Sequence, residues 1–341
     1  MSSRDSRSRS QRQRCCSPPQ LQRGIALLVA ILLVALGTIL AAAVAYENAM
    51  TARRGTATYA FDESILIQQG AEALAAYGVR QIHQSDPSHT YLGQGWDKPL
   101  GPVEVVPGVM LEAHLEDMQG RFNLNNLVQT NGTPDPGYAA AFTNLLALVG
   151  LEPKWTGFLV DWIDYDIVPQ NPDGAEDSVY MGQSPPYRTA NRYITSVSEL
   201  LALPGFGRDR YMALAPYVTA LPNGTPLNVC TAPGVVLDAF IGSGHTEFSA
   251  GQSEQLATNR TNTTGCFPTL ANFQAAMGPN GASGANGPNV AKSSVKFAQT
   301  SQFFRLTSFI TIGSAEFSLY SLMYQDQTGT LRPVQRSFTA D

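Results

Sequence analysis

Residues 25–45 run without a charge. At ~1.5 Å rise per residue, a helix of that length reaches roughly 30 Å, the thickness of a bilayer's hydrocarbon core. Beyond it the pattern turns amphipathic. Phe61, Ile65, Ala71, Leu74 and Ala75 recur at helical spacing while Arg53, Arg54, Asp62, Glu63 and Glu72 supply a polar face, so one long helix is expected to continue to about Arg80. Residues 85–102, rich in Pro, Gly, His and Asp, read as a loop. The period then changes to two, giving strands at 103–106 and 109–115 across a Pro107-Gly108 turn. Helical spacing returns in short segments at 138–149, 155–165, 197–203 and 208–218, with Pro and Gly between them. Residues 227–233 read as a short strand leading into a helix at 235–240, with another helix at 270–277. The spans 242–265 and 278–289 read as loops with little core. The end is β, with strands at 303–312, 316–324 and 331–338 and Gly329 in a hairpin turn. The pattern predicts an α+β chain, with a long N-terminal helix, a β-sheet and an inserted helical domain.

Charge gives this pattern a direction. Residues 1–24 hold Arg4, Arg7, Arg9, Arg12, Arg14 and Arg23 against Asp5 alone, so this leader carries about +5 and is expected to stay cytoplasmic. A secretory signal would have a shorter apolar core and a small-x-small site on its far side. Here the core is longer, and Gly24 stands on the near side, directly after Arg23. A plain signal anchor and a processed helix both fit these residues. At 341 residues the chain has room for the anchor and two compact units. Loss of the leader would move the net charge from −5 to about −10, which argues against a nucleic-acid partner and permits cation binding. Cys15 and Cys16 fall in the leader, leaving Cys230 and Cys266. An even pair in an exported domain suggests a disulfide, two unpaired buried thiols being the alternative.

The densest charge lies at Asp161, Asp164, Asp166, Asp173, Glu176 and Asp177, with no basic residue inside the window. Carboxylates this close repel one another unless solvated or bridged by a hard cation, and Ca²⁺ with flexible oxygen coordination suits an exported domain. The spacing is not that of an EF-hand loop. Residues 200–207 resemble the hairpin of helix-hairpin-helix DNA binders, whose glycine amides face a phosphate. That supports an alternative reading as a membrane-anchored DNA-binding protein of an uptake apparatus. The basic residues nearby are only Arg208 and Arg210, and a structural turn explains the same residues. Enzyme chemistry finds no support. His83, His89, His114 and His245 form no zinc spacing, Gly242-Ser243-Gly244-His245 lacks the nucleophile elbow, and there is no phosphate loop or dinucleotide fingerprint.

Four stretches carry a resemblance. The basic leader, Gly24 and the retained apolar helix resemble the class III signal of type IV pilins and type II secretion pseudopilins. Asp117-Met118-Gln119-Gly120-Arg121-Phe122-Asn123-Leu124-Asn125-Asn126-Leu127 resembles a segment of the pseudopilin K family, and Phe303-Phe304-Arg305-Leu306 its penultimate-strand motif. The resemblance implies a pilin-like long helix plus antiparallel sheet with a large inserted α-helical domain. It divides the chain into a leader at 1–24, an assembly helix at 25–45, pilin-like parts at 46–127 and 223–341, and an insertion at 128–222. It further implies cleavage after Gly24 by a prepilin peptidase, an Ile25 amine that is methylated, and a single-pass inner-membrane protein with a periplasmic C-terminal domain. Partners would be other minor pseudopilins and the inner-membrane secretion platform, without nucleic acid or catalysis. Most pilin-like subunits have a glutamate where Val29 stands here, and its absence resembles the K subunit at the pseudopilus tip. The acidic window, ending at Tyr187-Arg188-Thr189, resembles the family's calcium-binding segment, with Glu176 and Asp177 as first choices for ligands. The family usually shows an asparagine where Cys230 stands, which leaves that cysteine's role more open.

Overall fold

The computed structural model describes residues 22–241, 265–276 and 295–339. Most of the leader and nearly all of the loops expected at 242–265 and 278–289 lie outside the described residues. Two compact units follow one another along the chain, residues 1–61 and 62–341. A single helix, α1 (Gln22–Ser85), is the chain's first element. In the first unit its residues 25–45 are exposed throughout, and it is long and apolar enough to cross a membrane.

The second unit is built on a five-stranded antiparallel sheet in the order β1-β2-β7-β8-β9. Its strands are β1 (Leu100–Val106), β2 (Val109–Asp117), β7 (Phe303–Ile312), β8 (Ala315–Gln325) and β9 (Leu331–Ser337). β2 alternates buried and exposed, as one face packed against a helix demands. Its inner residues Leu111 and Leu115 join Leu306, Ile310 and Met323 against Ala71 and Val79 of α1. β1 starts at Leu100, inside the span expected to be loop. Gly101 makes this possible, because at φ +100° a Cβ there would run into the Leu111 carbonyl. The hairpin from β8 to β9 turns on Gly329, at φ +80°, with Asp326 accepting from the Thr328 and Thr330 amides at 2.9 and 3.0 Å.

After β2 the chain enters a helical layer through β3 (Phe122–Asn123) and returns beside it as β4 (Val218–Thr219), the two pairing in parallel. Between them lie α2 (Pro136–Leu148), α3 (Trp155–Ile163), α4 (Asp177–Tyr180) and α5 (Gly207–Leu214). Asp135 caps α2, accepting from the amides of Gly137 and Tyr138. Residues 197–202 form a tighter 3-10 segment. Pro216 ends regular helix after α5, so the expected 208–218 helix divides.

β5 (Leu227–Asn228) pairs in parallel with β6 (Phe297–Ala298), and α6 (Gly234–Ile241) and α7 (Leu270–Ala276) complete the layer. The helical core draws on residues to both sides of position 222. Val236, Leu237 and Phe240 of α6 and Phe273 of α7 are buried in the same cluster as Phe122, Phe142 and Leu145. Burial of that apolar face, rather than the change of periodicity, sets the extent of the layer. Cys230 and Cys266 are bonded within this cluster, with Cα atoms 4.8 Å apart.

The polar motif after β2 ties these pieces together. Asn125 donates to the carbonyls of Ile194 and Leu221 at 2.9 and 2.8 Å and accepts from the Ile194 amide. Asn126 does the same with Thr225 and Gly224. Asp117, fully buried, accepts from Ser301, Thr231, Asn228 and the Gln119 amide. Burial pushes its carboxyl upward despite these donors.

Candidate metal centre

The last turn of α3 brings the first acids together. Asp161 is buried, and its carboxylate turns back onto the chain, accepting from the amides of Gln170 at 3.1 Å and Ala175 at 2.6 Å. Those bonds fold residues 167–176 over the end of α3. Gly174 is required there, since a Cβ would collide with the Asp161 carboxylate and the Gln170 backbone. Asp164 leaves the helix in extended conformation. Asp166 follows in an exposed turn closed by its own side chain on the Val168 amide at 2.7 Å. Glu176, just before α4, is returned to the same place by this loop.

Asp164, Asp166 and Glu176 therefore converge, each offering a carboxylate oxygen within 4.8 Å of the others. Asp164 and Glu176 are buried. Both oxygens of Asp164 and Oε1 of Glu176 have no hydrogen-bond partner, while Oε2 of Glu176 accepts from Thr189 at 3.2 Å. The electrostatics register this crowding. Burial raises Asp164 to about 7, and the charges of Asp166, Asp161 and Glu176 add to it. Glu176 also rises to about 7, chiefly by burial. Asp161, relieved in part by its amide donors, rises to about 6. The Tyr180 hydroxyl, also buried and without a partner, is pushed far up by burial, with Tyr187, Asp161 and Glu176 adding to the shift. Buried acceptors lacking donors are costly unless something positive satisfies them. Three converging oxygens of hard character fit a cation of the Ca²⁺ class.

The six acids singled out from the sequence thus separate. Asp173 is exposed and outside the group. Asp177 is turned away, accepting from the Thr189 amide at 3.0 Å with Arg188 at 3.8 Å. Asp161 shapes the loop. The glycine hairpin before α5 has its neighbouring cation committed elsewhere: Arg210 pairs with Glu152 at 3.0 Å, donates to the Gly205 and Phe206 carbonyls, and lies 5.4 Å from the Trp155 ring centroid. Such a turn joins helices without a free basic face from Arg210.

One charged cluster was not legible beforehand. Glu116 is shared between Arg121 and Arg305, the latter at 2.8 Å. Its signal was present only as charged residues at inner ends of two strand-like motifs.

Comparison with known proteins places these features. A family model described as type II secretion system (T2SS), protein K, matches residues 120–223. The chain is 31% identical over 324 residues to the type II secretion system protein K of Pseudomonas aeruginosa, covering 92% of each chain. It is 37% identical over 211 residues to the protein K of Klebsiella pneumoniae, covering 60% of this chain and 64% of the relative. The fold matches, with a TM-score of 0.69 at 22% identity, a chain in the crystal structure of the GspK-GspI-GspJ complex from the enterotoxigenic Escherichia coli type 2 secretion system, covering 84% of this chain and 100% of that one.

Proposed function

Because the chain belongs to the type II secretion system protein K family, we propose that it is the minor pseudopilin that stands at the tip of the pseudopilus, initiating and capping its assembly. The observation that carries this reading is the exposed apolar helix with Val29 where a pairing carboxylate would stand. A helix without that charge has nothing to neutralise a subunit above it, and the helical layer returning at β3–β4 adds bulk. Two other minor pseudopilins of the kind seen with the solved relative are the partners. A prepilin peptidase cuts between Gly24 and Ile25, the new amine is methylated, and the helix holds the protein in the inner membrane until the secretion platform extracts it. Asp164, Asp166 and Glu176 hold a Ca²⁺ ion, which supplies positive charge to three otherwise repelling carboxylates and fixes the 164–176 loop.

Three measurements test the reading. Mass spectrometry of membrane-extracted protein should find the mature chain beginning at a methylated Ile25, and a retained leader would remove the processing step. Co-expression with the two partner minor pseudopilins should yield a stoichiometric complex. If Val29→Glu recruits a further subunit above it while wild type does not, the tip assignment stands; equal recruitment by both sinks it.

A further inference from the structure

The turn after α3 holds apolar side chains out of the fold. Residues 165–169, Tyr-Asp-Ile-Val-Pro, are exposed without interruption. Ile167 is 74% exposed, Val168 65% and Tyr165 53%, and among the described residues of the second unit no large aliphatic side chain is more exposed than Ile167. The backbone beneath them is pinned. The Val168 amide donates to Asp166 at 2.7 Å, which sets Ile167 at the centre of an Asx turn. Asn191 Nδ2 donates to the Asp166 carbonyl at 3.1 Å, and the Gln170 amide donates to Asp161 at 3.1 Å. The Tyr165 ring meets Tyr193 edge-on with centroids 6.1 Å apart, and it stands where a Cβ on Gly132 would come within 3.0 Å. A single exposed aliphatic side chain is ordinary, but adjacent ones fixed at the apex of a braced turn forgo burial that the fold does not recover.

The charge around this apex selects its occupant. Residues 161–193 hold six carboxylates against Arg188 and Arg192, and Arg188 lies 3.8 Å from Asp177. Asp166 and Asp173 are exposed. A divalent ion on the converging trio leaves the segment negative, so the sign is the same with or without calcium. We infer that the 165–169 turn is a docking surface for a polypeptide segment in which Lys or Arg stands beside aliphatic side chains. Ile167 and Val168 supply the apolar contact, and Asp166 and Asp173 attract the cations. A phospholipid surface would take up the same aliphatic side chains, but these acids repel its phosphates. The surface depends neither on the tip assignment nor on calcium. A turn this small binds an isolated peptide weakly, with Kd on the order of 1 mM.

The test uses the full chain in phosphatidylcholine nanodiscs, labelled with ¹³C at isoleucine methyl groups. Three capped peptides, acetyl-Arg-Val-Arg-Val-amide, acetyl-Glu-Val-Glu-Val-amide and acetyl-Arg-Ser-Arg-Ser-amide, are titrated at constant ionic strength while the Ile167 methyl signal is followed. Each titration is run with calcium and with chelator, so that failure of the calcium site leaves the result readable. A saturable shift with the Arg-Val peptide, in both conditions and tighter than with either control, is expected. Val168→Ser should weaken binding about three- to fivefold and Asp173→Lys about fivefold, both at exposed positions outside the converging trio. No saturable shift, an equal response to either control peptide, or unchanged affinity in either variant overturns the surface. Broadening of the Ile167 methyl signal by a lipid with a nitroxide headgroup assigns a bilayer as the occupant and overturns the polypeptide.

Discussion

Glu72 of α1 and Arg336 of β9 lie 264 residues apart and meet through two hydrogen bonds, at 2.8 and 2.6 Å. Glu72 is buried while Arg336 remains half exposed. Ser321 donates to the same carboxylate at 2.5 Å, and Gln68 donates to Ser321 in turn. This bond set clips the last strand onto the soluble end of the first helix. Arg336→Met should leave a buried carboxylate short of donors and cost about 1–3 kcal/mol, read as a lower unfolding midpoint of the full chain in detergent. A change within error of wild type would show that the clip is dispensable.

Calcium should raise the melting temperature, since a ligand bound only by the folded state stabilises by about 2.7 kcal/mol at a hundredfold excess over Kd. Asp164→Asn and Glu176→Gln should each remove most of that rise. Asp177→Asn should keep it, because Asp177 faces Thr189 and Arg188. Equal loss in all three variants would mean that the converging trio is not the binding set.

In the calcium-free protein, stability should fall as pH rises. Asp161, Asp164 and Glu176 have folded pKa values of about 6, 7 and 7, above their ordinary 3.8, 3.8 and 4.5. Between pH ~4 and ~7 the folded state holds protons that the unfolded state has released, so each unit of rising pH favours unfolding. Glu72 and Glu116 act oppositely. Burial pushes both up, but their arginines outweigh it and leave them below 4.5, so their stabilisation is present above pH ~4.5 and is lost as pH falls through the lowered values. With chelator, the melting temperature should therefore peak in mild acid and drop toward pH 7.5. Asp164→Asn should flatten that drop, and a profile unchanged by the substitution would refute its cause.

Reduction of the Cys230–Cys266 bond releases a loop of 36 residues. On the chain-entropy model this costs roughly 3–4 kcal/mol, so Cys230→Ser with Cys266→Ser should lower the denaturant midpoint and steepen the slope, because the unfolded chain without the cross-link exposes more surface. Thiol titration of the unfolded oxidised protein should find no free thiol at these positions.

Gly174→Ala adds a methyl group into the Asp161 carboxylate and the Gln170 backbone. Overpacking of this kind costs about 1–3 kcal/mol, and the 164–176 loop should shift with it. The observable is a loss of calcium stabilisation larger than the loss of unfolding stability. Unchanged calcium response would separate the loop from the site.

The architecture was legible where the physics is local. An uncharged run of membrane length, the switch from helical to alternating spacing at residue 103, and the Pro107-Gly108 and Gly329 turns all act over a few neighbouring residues. Each survives as an element close to where the pattern puts it. What spacing does not show is decided by distant partners: β1 begins at Leu100 because Gly101 fits under the Leu111 carbonyl, and α6 and α7 join the helical core because their apolar faces find Phe122 and Phe142.

The sequence by itself determined that six acids crowd one window and that two cysteines remain outside the leader. Only the tertiary structure decided that Asp164, and not Asp177, stands with Asp166 and Glu176, because the amides of Gln170 and Ala175 fold the loop onto Asp161. The same holds for Arg121 and Arg305. Charge spacing along a chain reports local repulsion, whereas a site is made by the path of the backbone between the charges, and that path is set by burial elsewhere.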